Sequence, residues 1–159
     1  MVAIRALQRD DRPSISRILH DTGNFTAAEI AVALELVDIY LNQPQQKDYL
    51  LHCALASDDG VIGYVCFGPT PMTEGTWDLY WIAVAPPYQG SGIGRALTEF
   101  VENYVISRHG RQLFIETSSQ AKYEPTRQFY LRRNYQEIAR LPDFYTVGDD
   151  RVIYRKLLR

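Results

Sequence analysis

Residues 78–105 read DLYWIAVAPPYQGSGIGRALTEFVENYV, and this stretch decides the fold. It begins with a run rich in aromatic and β-branched residues, Asp78 to Ala85, which predicts a buried strand. Pro86 and Pro87 remove two backbone donors and therefore end that strand. From Ile93 onward the apolar residues recur at intervals of three and four, which indicates a helix with one buried face. The stretch is thus a strand, a short connection and a helix.

The connection is rich in glycine. Gly90, Gly92 and Gly94 occupy every second position, and glycine reaches positive φ without the clash that a Cβ atom causes. A loop of this kind at a helix N-terminus gathers N–H groups without intrahelical partners at the positive end of the helix dipole, where phosphate binds well. The sequence therefore predicts a phosphate-binding loop.

Two common phosphate loops differ from this one. A P-loop needs Gly-Lys followed by Ser or Thr, whereas this chain has Gly94-Arg95-Ala96. A dinucleotide fingerprint needs its third glycine where Arg95 stands, although Glu116 lies at about the distance of a ribose-binding acid. A dinucleotide site stays open as the lesser alternative, and so does a connection that binds no ligand.

The pattern resembles motif A of the GNAT N-acetyltransferases, Q/R-x-x-G-x-G/A, which Gln89, Gly92 and Gly94 match. In that family the loop wraps the pyrophosphate of acetyl-CoA. The resemblance implies an acetyl-CoA-dependent acyltransferase that moves acetyl directly to a primary amine of a peptide, a protein or a small molecule. It is nearest to the branch that acts on ribosomal proteins and peptides. A CoA-binding sensor or scaffold without turnover is the alternative.

The remaining segments fit the same fold. Their patterns predict one strand, two helices, three strands, a helix, a strand, a helix and two strands, an α/β order with a mixed sheet. Thr26 and Glu29 form the capping box of the second helix. Residues 68–75, which include two prolines, are predicted as a loop on the substrate side, and the last strands are predicted at 136–140 and 151–157. The order resembles the GNAT fold, a mixed central sheet flanked by helices on both faces, over residues 1–159 as a single domain.

Composition excludes several other classes. The 159 residues are 46% hydrophobic and 23% charged, which is typical of a globular protein, and the formal net charge of −2 gives no general attraction to nucleic acid or anionic membrane. Without an apolar run of transmembrane length or a signal-peptide pattern, we expect a cytoplasmic protein. Cys53 and Cys66 are predicted to be buried reduced thiols. The three histidines lack ligand spacing, so no metal site is expected, and the oligomeric state, a homodimer included, stays open.

The resemblance also assigns cofactor contacts. Main-chain groups of Ile82, Ala83 and Val84 would meet the pantetheine arm and the acetyl carbonyl, beside a bulge that splays the central strand from its neighbour. A fully laddered core strand is the alternative reading. The loop contacts would come from Gln89, Gly90, Ser91, Gly92, Ile93, Gly94 and Arg95.

Tyr130 is the predicted acid. It lies in FYLRRNY, residues 129–135, which is similar to the family's F/L-Y-x-x-x-G-F/Y segment, where the tyrosine hydroxyl faces the CoA sulfur. A phenol is protonated at neutral pH and can donate to a departing thiolate. Asn134 stands where the family usually has glycine, and Tyr123 stands where it often has an asparagine that contacts the cofactor.

Two carboxylates compete for the role of base. Asp78 aligns by its spacing from Gln89 with a glutamate that some family members use through water, and Glu116 aligns with the base proposed for ribosomal-protein acetyltransferases. An amine that loses its proton before binding would need neither. Acceptor contacts are expected from five residues whose segments flank the cleft in the resembling fold, and an acidic lining would suit a cationic amine: Phe25, Glu29, Glu74, Tyr80 and Tyr145.

Overall fold

The computed structural model describes residues 2–159. Seven strands form one mixed sheet in the order β1-β2-β3-β4-β5-β7-β6. Its strands are β1 (Ala3–Ala6), β2 (Leu50–Leu55), β3 (Val61–Pro69), β4 (Thr76–Val84), β5 (Gln112–Ser118), β6 (Gln136–Thr146) and β7 (Asp149–Leu157). The helices are α1 (Arg12–Asp21), α2 (Ala27–Asn42), α3 (Ile93–Ser107) and α4 (Glu124–Arg132). The predicted order of elements is confirmed.

Helices cover both faces of the sheet, as the sequence predicted. Alternate strand residues project to opposite faces, and here they divide into two apolar clusters. Tyr64 of β3 packs with Leu19 and Val37 on the α1–α2 side. Its neighbour Val65 packs with Leu97 on the α3–α4 side. The sheet therefore separates two cores.

Local signals fixed several helix ends. The Thr26 hydroxyl accepts from the Glu29 amide at 3.1 Å, and the Glu29 carboxylate accepts from the Thr26 amide at 2.9 Å. The predicted capping box of α2 is therefore confirmed. After α4, Asn134 has φ 68°, which is the left-handed conformation that asparagine tolerates better than most residues.

The C-terminal hairpin differs from the prediction. The segment that the sequence assigned to a connection is mostly strand, because β6 extends to Thr146 and β7 begins at Asp149. The carboxylate of Asp143 accepts from the Gly148 amide at 2.7 Å, which closes the turn. Pro142 is tolerated because β6 is an edge strand, so its missing donor faces no further strand.

The sheet opens in its middle. Parallel pairing between β4 and β5 involves only Thr76–Leu79 with Gln112–Ile115. Beyond that point β4 stays paired with β3, and β5 stays paired with β7. The two strands therefore diverge after Leu79 and Ile115, and we call the space between them the wedge.

A β-bulge lies where the wedge begins. Cys66 of β3 pairs with Trp81, whereas the next residue, Phe67, pairs with Leu79, so Tyr80 is an extra residue on β4. A bulge bends its strand and increases the local twist. The predicted bulge of the central strand is thus present, and the fully laddered alternative is wrong.

One partly buried histidine should make stability depend on pH. The His52 ring packs against Phe67, Phe100 and Tyr104, its Nδ1 has no hydrogen-bond partner among residues 2–159, and burial lowers its pKa to about 4. The unfolded chain gains this proton near pH 6.5 and the folded chain does not. Because the ring is only partly buried and solvent screens its charge, stability should fall by roughly 1–2 kcal/mol as the pH drops from above 6.5 to 4.

Denaturant unfolding at pH 7 and at pH 4.5 measures this effect. His52→Phe should lose less stability between the two pH values than the wild type does, by roughly 1–2 kcal/mol. His20→Gln, a change at an exposed position, is the matched control and should behave like the wild type. An equal loss in the His52 variant and the wild type would contradict the assignment.

Candidate active site

The glycine-rich connection presents a row of free amides. Gly90 has φ 78° and Gly92 has φ 89°, and Gly92 is the N-cap of α3. The first helical bond runs from the Ala96 amide to the Gly92 carbonyl at 3.0 Å. In the described chain no protein group accepts from the N–H groups of residues 90–95. These amides, at the positive end of a 15-residue helix, suit an anion.

The loop is tied to the strand before it. The Gln89 side chain donates from Nε2 to the Val84 carbonyl at 3.1 Å, and the Tyr88 amide donates to the Ala85 carbonyl at 2.9 Å. A Cβ atom on Gly94 would lie 3.7 Å from the Phe129 ring and 4.0 Å from Val84. The end of β4, the loop and α4 therefore meet at one place, beside the open end of the wedge.

Tyr130 lies in the core between α4 and the sheet. It is 3% exposed, and its ring centroid lies 5.8 Å from that of Tyr135 and 5.9 Å from that of Tyr154. Its hydroxyl has no hydrogen-bond partner among residues 2–159. Burial raises the pKa of Tyr130 well above its ordinary value. The phenol therefore keeps its proton and remains available as a donor.

Both candidate bases lie at the apex of the wedge. Leu79 and Ile115 form the last β4–β5 pair, so Asp78 comes one residue before it and Glu116 one residue after it. Leu79 and Ile115 point into the α3–α4 core, so the two carboxylates project to the opposite face. Asp78 accepts from the Thr70 hydroxyl at 2.6 Å, whereas the exposed Glu116 is ion-paired with Arg151.

Three of the five predicted acceptor residues, Phe25, Glu29 and Tyr145, lie near one end of the sheet face that carries the two carboxylates. Phe25 packs edge-on against Trp81 of β4, with ring centroids 5.3 Å apart. Glu29 lies in the first turn of α2. Burial raises the pKa of Tyr145, and the negative charges of Asp149 and Glu29 raise it further. We use the name acceptor cleft for the region between the α1–α2 connection and the β6–β7 hairpin, where these predicted acceptor residues lie.

The other two predicted acceptor residues lie elsewhere. Glu74 lies in the β3–β4 connection, where its carbonyl accepts from Arg111 Nε at 2.8 Å. That position is at the end where β4 and β5 are paired, away from the wedge. Glu74 therefore lies away from the wedge, although Thr70 at the start of the same connection donates to Asp78. Tyr80 is the bulge residue, and its ring lies 5.5 Å from that of Tyr49.

Sequence reasoning missed Trp81, Tyr123 and Asp149 as cleft residues. Asp149 is only 7% exposed, and its carboxylate accepts from the Ser118 hydroxyl. The sequence feature that could have pointed to Trp81 is its place in the central strand, but the bulge decides which face of the sheet it occupies. The feature that could have pointed to Tyr123 is its departure from the family motif.

Two cations near the loop have protein partners. Arg95 donates from Nε to Glu99 at 2.8 Å, and Arg127 donates to the Ser118 carbonyl at 2.7 Å. Arg133 differs: its guanidinium lies 4.9 Å from the Phe129 ring centroid, and its buried Nε has no hydrogen-bond partner among residues 2–159. Among residues 2–159 no group of three His, Cys, Asp or Glu side chains could hold a metal ion, and none of the helices is long and apolar enough to cross a membrane.

A family comparison identifies the class of protein. Residues 49–137, which run from just before β2 to the start of β6, match the model of the acetyltransferase (GNAT) domain. This match covers more than half of the chain, so the protein belongs to the GNAT acetyltransferase family. The predicted family is confirmed.

Individual proteins show the same relationship. A GNAT-family protein from Desulfovibrio desulfuricans is 47% identical over 100% of both chains, with a TM-score of 0.95. An uncharacterized N-acetyltransferase from Methanocaldococcus jannaschii is 29% identical over 62% of this chain. That match spans 61% of the relative, which is less than two thirds of its length.

Two solved structures share the fold at lower identity. The ribosomal-protein-S18-alanine N-acetyltransferase of Escherichia coli is 20% identical, with a TM-score of 0.77 over 99% of this chain and 94% of that one. An aminoglycoside 6'-N-acetyltransferase in complex with coenzyme A is 17% identical, with a TM-score of 0.75 over 99% and 97%. These two confirm the predicted fold class.

Proposed function

We propose that this protein is an acetyl-CoA-dependent N-acetyltransferase that transfers acetyl to a cationic primary amine. The observation that carries the proposal is the row of free amides at residues 90–95, placed at the end of a strand that diverges from its neighbour. Membership of the GNAT family and a fold neighbour solved with coenzyme A support it.

The residues present fit acetyl-CoA. The amides of the loop would hold the diphosphate, since they have no protein acceptor within the described chain and no acidic residue lies in the first turn of α3. From Trp81 to Val84, β4 pairs with β3 alone. The edge of β4 that faces the wedge can therefore bond an extended amide-containing arm, as an added strand would.

The chemistry can be assigned to residues around the wedge. Bound acetyl-CoA would supply an activated acyl group, whose C–S bond breaks as the new C–N bond forms. A main-chain N–H on the open edge of β4 would stabilise the developing oxyanion. Asp78 or Glu116, directly or through water, would take the proton that the ammonium group loses before attack. Tyr130 would give its proton to the departing sulfur and regain one, through water, from the nitrogen as the amide forms. The products are an acetylated amine and the free thiol of CoA.

Charge in the acceptor cleft favours a cationic acceptor. Glu29 and Asp149 form no ion pair within residues 2–159, and they outnumber the one lysine of this region, Lys122, which is bonded to the Asn24 carbonyl. The nearby aromatic side chains are Phe25, Trp81 and Tyr145. Carboxylates and aromatic faces both attract alkylammonium groups. A protonated amine would bind here and lose its proton before transfer.

Two glycine variants test the cofactor site. Gly92 has φ 89°, so Gly92→Ala strains the backbone by about 1–2 kcal/mol, and we expect CoA affinity to fall about tenfold. Gly94→Ala is the matched control, because its Cβ would make only ordinary contacts, and CoA affinity should stay within about threefold. Calorimetric titration with CoA measures both, and equal losses in the two variants would contradict the assigned loop geometry.

Tyr130→Phe tests the proposed acid. The variant keeps the ring packing and removes only the hydroxyl, so kcat should fall by about 10²-fold while the Kd for CoA stays unchanged. Tyr154→Phe, in the neighbouring ring of the same core, is the control and should keep the wild-type kcat. A normal kcat in Tyr130→Phe would show that another group protonates the sulfur.

A thiol-release screen with acetyl-CoA tests the reaction and the acceptor together. We expect turnover with protonated amines such as spermidine, lysine amide or an alanine-headed peptide. Asp149→Asn should raise KM for the best of these about tenfold, because it removes the buried carboxylate. Glu137→Gln on the β6 edge is the control and should leave KM unchanged. CoA binding without thiol release for any amine would instead support a sensor or scaffold.

A further inference from the structure

Two side chains just before α4 donate to a single carbonyl group across the acceptor cleft. The Tyr123 hydroxyl donates to the Asn24 carbonyl oxygen at 2.9 Å, and Lys122 Nζ donates to the same oxygen at 3.0 Å. Asn24 lies between α1 and α2, so these bonds join residues 99 and 98 positions apart. We call this arrangement the clamp.

The clamp supplies the long-range hydrogen bonds of the α1–α2 connection. Other hydrogen bonds of residues 22–26 in the described chain are local: the Gly23 amide donates to the His20 carbonyl, and the Asn24 amide donates to the Thr22 hydroxyl. A segment held only by local bonds opens readily. The position of this connection over the sheet therefore depends on the clamp and on the packing of Phe25.

Tyr123 is well suited to donate. Burial, followed by the charges of Glu29 and Asp149, raises the pKa of Tyr123 to about 12, so the phenol stays protonated at neutral pH. The Tyr123 amide is itself fixed by a bond to the Gln120 carbonyl at 3.0 Å. The hydroxyl therefore projects from a fixed turn.

The clamped segment borders the wedge. Phe25 follows Asn24 and packs edge-on against Trp81, which follows the bulge residue Tyr80 on β4. Contacts therefore run from Tyr123 through Asn24 and Phe25 to the strand beside the wedge. Burial, followed by the charges of Asp149, Glu29 and Tyr123, raises the pKa of Tyr145, so Tyr145 of the β6–β7 hairpin lies near the same segment.

We propose that Tyr123 is a positioning residue that fixes the α1–α2 connection as one wall of the acceptor cleft. This inference rests on the proposed acetyltransferase function, which defines what the cleft binds. It occupies the position where the family motif often has a cofactor-contacting asparagine. In this chain the Tyr123 side chain instead binds the α1–α2 connection, on the side of the acceptor cleft. Losing the clamp should weaken acceptor binding and leave CoA binding and chemistry unchanged.

Hydrogen exchange tests the clamp without any activity. In the double variant Lys122→Met/Tyr123→Phe, the amides of residues 22–27 should exchange about fivefold faster or more, because their long-range bonds are lost. Amides of α3 and β5 should exchange as in the wild type. Tyr40→Phe, a phenol on α2 outside the clamp, is the matched control and should leave residues 22–27 unchanged. Unchanged exchange in the double variant would overturn the proposal.

Steady-state kinetics tests its consequence. With the best amine from the thiol-release screen, Tyr123→Phe, which keeps the charge of Lys122, should raise KM about threefold or more while kcat and the Kd for CoA stay within about twofold. Faster exchange with an unchanged KM would also overturn the positioning role. If the wild type releases no thiol with any amine, the acetyltransferase function fails, and hydrogen exchange still decides whether the clamp holds the segment.

Discussion

The separation of β4 from β5 is the constraint on which the candidate site depends. Parallel pairing stops at Leu79 and Ile115, while each strand keeps its other neighbour. Backbone polar groups in a sheet centre are normally paired, because an unmet hydrogen bond is costly when water is excluded. An opening in the middle of the sheet therefore provides polar main-chain groups that a ligand can satisfy. The bulge at Tyr80 bends β4 where the divergence begins.

The site combines features from both faces of the sheet. The glycine loop, α3 and Tyr130 lie on one side, where free amides and a buried phenol would meet an anionic cofactor and its sulfur. The two candidate bases and the acceptor cleft lie on the other side. The wedge connects the two faces of the sheet, which suits a reaction that joins two different substrates. The proposed acetyl transfer uses this geometry, and the free amides of the loop are its strongest support.

Departures from the family motif have different structural consequences. Asn134 replaces a glycine and adopts the same left-handed cap, so the end of α4 is preserved. Tyr123 replaces an asparagine and binds the α1–α2 connection across the cleft. The first change is neutral because asparagine tolerates positive φ. The second gives the side chain another partner, which is why the clamp is expected to affect the acceptor more than the cofactor.

The sequence by itself determined the order of elements, the helix starts and the glycine-rich loop before α3, because periodicity, capping boxes and glycine spacing act over a few residues. It also indicated the family through Gln89, Gly92, Gly94 and Tyr130. Only the tertiary structure decided that Tyr80 is the bulge residue, that Glu74 lies away from the wedge, and that Tyr123 is bonded to Asn24. Those facts depend on strand register and on contacts between residues far apart in the chain, and no local pattern encodes either. For the same reason the hairpin of β6 and β7 extends beyond its predicted bounds, since pairing between the strands outweighs the turn signals around Pro142.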